Sequence, residues 1–193
     1  MIKCRKHLAD CVRDCRRIFF GAAFAIALVF TAPPRVVAQG EPKLVSDVVD
    51  FSKLIPLMPE PPAGWSAEKA EGSTTDAGDV NLTTVHRDYT KGTAENAPVT
   101  SISILDTASS PELAQASTAG WNVTNTSTEG YTKSTTIDGN PGFEAFENDG
   151  KHGTLWLMIA KRYLLQIETR EQDSKDLQEW LKRIDLKKLA EVK

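Results

Sequence analysis

The chain has 193 residues, of which 40% are apolar and 25% are charged, an ordinary composition for a globular protein. All 3 cysteines lie within the first 15 positions, which excludes a disulfide scaffold or a cysteine-ligated zinc site from the rest of the chain. Only His86 and His152 lie beyond residue 38, too few for a three-histidine metal site in one copy. No apolar run reaches about 18 residues, which excludes a multi-span membrane protein.

Residues 1–38 have the layout of a secretory signal peptide. Six lysines and arginines lie among the first 17 residues. They are followed by fifteen uncharged residues, 18–32, and then by a candidate cleavage site at Val36-Val37-Ala38. Cleavage there leaves 155 residues that begin at Gln39, and it predicts a periplasmic or secreted protein. The alternative is an uncleaved inner-membrane anchor, although fifteen residues make a helix of roughly 22 Å and the hydrocarbon core is roughly 30 Å thick.

The residues before the apolar run leave two export routes open. Cys15-Arg16-Arg17, followed by Phe19, resembles the twin-arginine export motif, in which a Ser or Thr precedes the arginine pair and a Phe follows two places after it. Cysteine at the first position departs from that pattern, and a run this apolar also suits the general secretion route. Twin-arginine export would carry the protein across the membrane in its folded state.

Removal of the signal changes the charge of what remains. Residues 1–38 carry seven basic and two acidic groups, whereas residues 39–193 carry 16 basic and 24 acidic groups, a net charge of −8. A domain this acidic lacks the positively charged surface that binds nucleic acid or anionic lipid. We therefore expect neither nucleic acid nor, after cleavage, a membrane as a partner.

Beyond a polar lead-in at residues 39–50, residues 51–193 predict a single α+β domain. A short apolar helical turn and a Pro-rich connector deliver Trp65 to the main body, and residues 66–79 show no clear pattern. Alternating and β-branched segments predict six strands, at 80–90, 99–106, 131–137, 143–148, 154–160 and 163–169. Helices are predicted from Ser110, with an apolar stripe from Leu113 to Trp121, and from Asp173 or Ser174 to Ile184.

The strand at 154–160 is apolar in both of its alternating sets of side chains. Its two faces carry Leu155, Leu157 and Ile159, and Trp156 and Met158. A strand covered on one face would alternate with polar residues, so this strand predicts cover on both. The next strand, 163–169, becomes polar on its second face, so the second layer fades toward one end or edge. We predict an antiparallel sheet of about six strands with helices on both faces.

The order of these elements resembles a known family. A Gly64-Trp65 entry, two strands, a helix, a four-strand meander around Ile137–Pro141 and a closing amphipathic helix are similar to the Mog1/PsbP-like α/β/α sandwich. The resemblance covers roughly residues 51–190 and rests on element order. That family includes photosystem accessory subunits, a nuclear-transport cofactor and small exported bacterial proteins, so the fold implies no single function, and no functional residue is carried over.

Two sets of residues are candidates for metal binding or catalysis, since the sequence contains no common catalytic, phosphate-binding or cofactor motif. His86 and Asp88 share a face of a predicted strand, as half of a metal site or as a base with its orienting carboxylate. Glu144, Glu147 and Asp149 form an acidic end of the meander, where oxygen ligands could collect Ca²⁺. The alternatives are a solvent-facing histidine beside an aspartate, and a charged strand edge that discourages edge pairing.

One of the four tryptophans is a candidate for a partner surface, and the lack of a catalytic constellation, the acidic body and the compact fold favour a binding role. Trp121, Trp156 and Trp180 fall on predicted core stripes, where packing is the expected role, whereas Trp65 is predicted to be partly exposed and to offer a partner surface. We therefore expect a non-catalytic exported binding or accessory module without a cofactor, whose partner is an envelope protein or a small ligand. The alternative is a metal-dependent protein or enzyme that uses His86 and Asp88 or the acidic end of the meander.

Overall fold

The computed structural model describes residues 48–77 and 80–193, and these residues form one β-sheet with four α-helices. The predicted signal, residues 1–38, lies outside the described residues. The strands β1 to β9 are, in chain order, Ser66–Ala67, Glu71–Ala77, Val80–Thr90, Val99–Asp106, Asn125–Thr126, Gly130–Ile137, Asn140–Glu147, His152–Ile159 and Tyr163–Arg170. The helices α1 to α4 are Phe51–Leu54, Pro111–Thr118, Ser174–Leu181 and Leu186–Glu191. None of these helices has the length and apolar character needed to cross a membrane.

All nine strands belong to one antiparallel sheet. The order across it is β1-β3-β4-β9-β8-β7-β6-β5, and β2 pairs with the same edge of β3 as β1 does. Strands β6 to β9 are neighbours in sequence and in space, because their short connections force each strand to run antiparallel to the one before it. The predicted four-strand meander is therefore confirmed.

The sheet has nine strands rather than the expected six or so. The additional strands are β1 and β5, of two residues each, and β2, whose sequence Glu-Gly-Ser-Thr-Thr-Asp-Ala has no apolar alternation. Backbone pairing with β3 or β6 holds these strands in place. Since they do not depend on burying alternate side chains, an analysis of apolar periodicity could not detect them.

The hydrophobic core lies on one face of the sheet, which we name the inner face. Helix α1 contacts β2 and β3 there, α3 contacts β8 and β9, and α4 contacts β8. The fully or almost fully buried side chains of this core include Leu54, Val85, Ile102, Ile104, Leu155, Leu157, Leu165, Ile167, Leu177, Trp180 and Leu189. Most of the hydrophobic stabilisation therefore comes from this side of the molecule.

The opposite face, which we name the outer face, is only partly covered. Helix α2 lies at one end of it, where Trp121 and the end of α2 line a space together with Trp156. Met158 is buried, but Trp156 is only half-buried, so the expected helical cover of both faces is not complete. On the same face of β9, Leu164, Gln166 and Glu168 are all partly exposed.

Helix α2 departs from its predicted form. Leu113 and Ala116, on the predicted stripe, are exposed, and Ala114 is the buried residue of the helix. The Ser117 and Thr118 hydroxyls donate to the carbonyls of Leu113 and Ala114, at 2.8 and 3.1 Å, and the helix ends at Thr118. Hydroxyls that bond back to the preceding turn weaken a helix, which accounts for the shorter length. The predicted side-chain cap at Ser110 is also not formed.

A buried carboxylate ties the start of the described chain to the sheet. Asp106, fully buried at the end of β4, accepts two hydrogen bonds from the Arg162 guanidinium, at 2.8 and 2.7 Å. It also accepts one from the Val49 backbone N–H at 2.8 Å. Because a bidentate arginine satisfies both carboxylate oxygens, the charge of Asp106 is accommodated inside the protein.

Candidate functional site

His86 and Asp88 meet on the outer face, as their predicted positions on one face of a strand require. His86 Nε2 lies 3.1 Å from Asp88 Oδ1, and both side chains are partly exposed. Asp88 Oδ1 also accepts a hydrogen bond from Ser101 Oγ at 2.5 Å. The serine proton is directed at the carboxylate and not at the imidazole, so these residues lack the geometry of a nucleophile activated by a histidine base.

The acidic end of the meander is divided between the two faces of the sheet. Glu144 points to the inner face and is 2% exposed, whereas Glu147 is exposed and Asp149 lies in the following turn. Side chains three positions apart on a strand point in opposite directions, which separates the two glutamates. Among the described residues, no three His, Cys, Asp or Glu side chains converge as metal ligands.

Glu144 joins β6, β7 and α3. Its carboxylate accepts hydrogen bonds from the Tyr131 hydroxyl at 2.5 Å and from the Gln178 amide at 2.8 Å, and it pairs with Lys133 at 2.9 Å. Burial, together with the hydrogen bond to the Glu144 carboxylate and its charge, raises the pKa of Tyr131 to about 12. With both of its oxygens bonded to protein groups, Glu144 has a structural role.

Trp65 is presented by a tight turn at the end of the Pro-rich connector. Trp65 N donates to the Pro62 carbonyl at 3.0 Å, and Gly64 has a φ of +81°, as the third residue of a type II turn requires. The turn sets the Trp65 ring edge-on to Trp180, with ring centroids 5.0 Å apart and an interplanar angle of 88°. Trp65 is half-buried, in agreement with the prediction that it is partly exposed.

The half-buried Trp65 lies in the wall of a cleft of about 380 Å³. We name it the Trp65 cleft, and its apolar walls are Pro62, Trp65, Pro98 and Trp180. Charged side chains from α3, from the β3–β4 turn and from the chain before α3 form its rim. A concave space of this size suits a small molecule or a short segment of a partner protein.

Gln172 fixes the floor of the Trp65 cleft. Its amide nitrogen donates to the Val99 carbonyl at 2.6 Å and to Thr100 Oγ1 at 2.9 Å, and its amide oxygen accepts from Trp180 Nε1 at 3.2 Å. Gln172 is buried, so water does not compete for these bonds. They hold Trp180 and α3 against β4, and the wall of the cleft is therefore in place before a ligand arrives.

Two acidic groups of the rim are paired within the protein. Lys151 Nζ lies 3.1 Å from Asp173 Oδ1, and this hydrogen bond and positive charge lower the pKa of the Asp173 carboxyl. Lys182 Nζ lies 2.7 Å from Glu179 Oε1 and likewise lowers the pKa of Glu179. Both carboxylates are therefore ionised and already matched by a cation.

Two cations of the rim are differently placed. Lys91 makes no ion pair with another described residue, and the Arg183 guanidinium carbon lies 5.9 Å from the centroid of the Trp180 ring. Both side chains line the cleft beside its aromatic wall. An anionic group on a ligand would find these two cations next to an apolar surface, an arrangement in which charge–charge contacts are only partly screened by water.

The backbone is strained at two residues of the rim. Lys151 and Glu171 have φ values of +44° and +56°, in the left-handed region. For a residue other than glycine this conformation costs roughly 1–2 kcal/mol. The two segments support each other, since Glu171 N donates to the Gly150 carbonyl at 3.3 Å and Gln172 N donates to the Lys151 carbonyl at 3.4 Å. The same conformation occurs at Asp138, Ala160 and Lys161 in the β6–β7 and β8–β9 turns, so it is a feature of the tight turns of this fold.

Sequence analysis identified Trp65 and missed the other residues of the cleft. Gln172 and Arg183 are more than 100 positions from Trp65, and no local motif marks them. The pairing of β4 with β9 and the packing of α3 bring them to the cleft. The one sequence feature that could have indicated the rest of the cleft is Gln172, the glutamine before the Asp173 cap. Its role is apparent only from its buried hydrogen-bond partners.

Comparison of the chain with protein-family models, with curated proteins and with solved structures finds no match. The choice of the Trp65 cleft therefore rests on its geometry and its charges. The same features are the basis for the function proposed below.

Proposed function

We propose that this protein is a non-catalytic binding module that holds a segment of a partner protein in the Trp65 cleft. We further propose that the protein is exported, that residues 1–38 are removed, and that the protein acts in the periplasm or outside the cell. The acidic body, with a net charge of −8 over residues 39–193, supports a protein partner over nucleic acid. No step of chemistry is required of the module.

The observation that carries the proposal is the half-buried Trp65 ring beside Trp180 in a preformed cleft. Partly exposed tryptophans next to grooves are typical binding hot spots, because they offer a large rigid apolar area. Three cations and four carboxylates line the cleft, which favours a segment that carries polar groups of both signs next to an apolar side chain. The preformed wall keeps the entropic cost of binding low.

The fold relation that we propose is to the Mog1/PsbP-like sandwiches. The antiparallel meander of β6 to β9, the closing helix α3 and the Gly64-Trp65 entry support it. Partial cover of the outer face by α2 alone would make this chain a reduced version of that architecture. Accessory subunits occur on that fold, which is compatible with a binding role.

Site-specific photo-crosslinking tests the proposed function. A photo-reactive amino acid at Ala63, which is exposed and adjacent to the intact Trp65, is expected to form a discrete adduct in the producing cell. Trp65→Ala in the same background is expected to abolish that adduct. The same amino acid at Val123, which is 54% exposed, is the matched control and should give no such adduct. Identical adducts from both positions, or none from Ala63, would refute a partner at this cleft.

A further inference from the structure

The outer face carries a row of side chains that neither the core nor the Trp65 cleft uses. We name it the outer row, and its members face one another in register on six neighbouring strands. They are Ser134, Phe143, Trp156, Gln166, Ser103 and His86. Each is half-buried or exposed. Five strand spacings of about 4.8 Å make the row roughly 24 Å long.

One end of the outer row opens into an aromatic trough of about 390 Å³. Its lining residues are Ser117, Gly120, Trp121, Phe143, Trp156 and Leu164. The rings of Phe143 and Trp156 have centroids 6.0 Å apart and an interplanar angle of 37°. A Cβ added at Gly120 would meet no atom within 4 Å, so the helix side of the trough is open. The three aromatic rings are half-buried and accessible to a ligand.

The aromatic trough has no charged side chain in its lining, and the carboxylates beside the outer row are in contact with histidine or arginine. The ionisable side chains beside the row pair with one another: His86 with Asp88 at 3.1 Å, and Glu168 with His152 at 3.1 Å and with Arg170 at 2.7 Å. Because a complementary ligand matches the charge of its site, the part of the ligand that occupies the trough is neutral.

On either side of the aromatic pair Phe143 and Trp156, the row offers polar groups that are not used within the protein. The side chains of Ser103, Ser134 and Gln166 make no hydrogen bond with another described residue. The Gln166 amide supplies two donors and an acceptor, and each serine hydroxyl supplies both functions. Gln166 pairs in register with Trp156, so these groups lie directly beside the aromatic trough.

A sugar ring has both an apolar face and hydrogen-bonding hydroxyls, which match the aromatic rings and the polar side chains of this surface. Its C–H groups form an apolar face that packs against the electron-rich face of an aromatic ring, and its hydroxyls bond to amides and hydroxyls. An acyl chain would cover the polar side chains without bonding to them, which is unfavourable. The length of the row suits a chain of several sugar units.

We propose that the outer face binds a neutral oligosaccharide. Its rings pack on Trp121, Phe143 and Trp156, and its hydroxyls bond to Gln166 and Ser103. This site lies on the opposite side of the sheet from the core and is separate from the Trp65 cleft, so either proposal can fail alone.

Titration of the full protein, after any export signal has been removed, with three neutral hexasaccharides tests the proposal. Maltohexaose, cellohexaose and N-acetylated chitohexaose are added in turn, with tryptophan fluorescence and calorimetry as readouts. At least one is expected to bind saturably. Trp156→Ala should weaken that binding about tenfold or more, and Gln166→Ala about threefold. Leu113→Ala, on the exposed side of α2 and outside the trough, should leave the affinity within about twofold.

Several outcomes would overturn the oligosaccharide site. These are the absence of binding by all three sugars, equal affinity in the wild type, in Gln166→Ala and in Trp156→Ala, or displacement of the bound sugar by laurate. A concentration-dependent dimer that Trp156→Phe abolishes would assign this face to self-association and would also refute the proposal. Trp156 and Gln166 are partly exposed and lie outside the hydrophobic core. Their substitution therefore leaves the fold intact, and a folding defect does not obscure the result.

Discussion

Hydrogen bonds and an ion pair stabilise the buried charge of Glu144 on the inner face. Replacing it with alanine leaves the Tyr131 hydroxyl and the Gln178 amide without their acceptor, while the half-exposed Lys133 regains water. We expect Glu144→Ala to lower the free energy of unfolding by about 1–3 kcal/mol. Glu147→Ala, at an exposed position of the same strand, should change it by less than about 0.5 kcal/mol. Urea unfolding measures both, and equal effects would contradict the structural role of Glu144.

The tyrosines make stability depend on alkaline pH. Burial raises the pKa of Tyr89 and of Tyr131 to about 12, from an ordinary value of 10.0. Below pH 10.0 both states are protonated and the full stabilisation is present. As the pH rises toward 12, the unfolded chain loses its phenolic protons while the folded chain retains them, so stability falls. We expect Tyr131→Phe to have a shallower loss over this range in urea titrations, and an unchanged slope would contradict the assigned shift.

Replacement of Glu171 tests whether the left-handed backbone conformation of this residue lowers the stability of the protein. Glycine adopts this conformation without strain, so Glu171→Gly is expected to leave stability unchanged or to raise it by up to about 1 kcal/mol. Glu179→Gly, inside α3, is the matched control and should lower stability by about 1 kcal/mol. Thermal melts of the two variants provide the comparison. Equal destabilisation would mean that Glu171 is not strained.

Among the elements, the packing of α1 on β2 and β3 depends on one glycine. A Cβ at Gly72 would lie 2.8 Å from Phe51 Cβ and 2.9 Å from Val85 Cγ1, closer than side chains approach. Gly72→Ala is therefore expected to displace α1 and to lower stability by about 1–3 kcal/mol. At Gly120 an added Cβ meets nothing within 4 Å, so Gly120→Ala should be nearly neutral. Chemical denaturation distinguishes the two, and a neutral Gly72→Ala would refute the close contact.

The elements also show what a sequence can predict. Strands β3 and β4 begin and end at the predicted residues, because alternate side chains such as Ile102 and Ile104 are buried on the inner face. Strand β2 is polar and depends on backbone pairing, so it was not predicted as a strand. Helix α2 was predicted at its observed start, but its small side chains favour no single face, so its length and its buried face were not. Of the candidate site, Trp65 alone was predicted, since its partners come from distant parts of the chain.

At the scale of the whole molecule, the charge difference between residues 1–38 and the rest predicts a processed protein. We expect exported material to begin at Gln39, because small residues precede it at the cleavage site. N-terminal sequencing of the envelope fraction measures this. A parallel variant with Ala38→Arg should accumulate unprocessed chain, and a start at Met1 in the wild type would refute cleavage.

The concentration of buried side chains on the inner face has an evolutionary consequence. Substitutions there disturb packing, whereas most side chains of the outer face contribute little to folding. Related chains should accordingly diverge fastest along the outer strand positions and preserve Leu155, Leu165 and Trp180. Recognition could then be altered through a few surface replacements while the same scaffold is inherited.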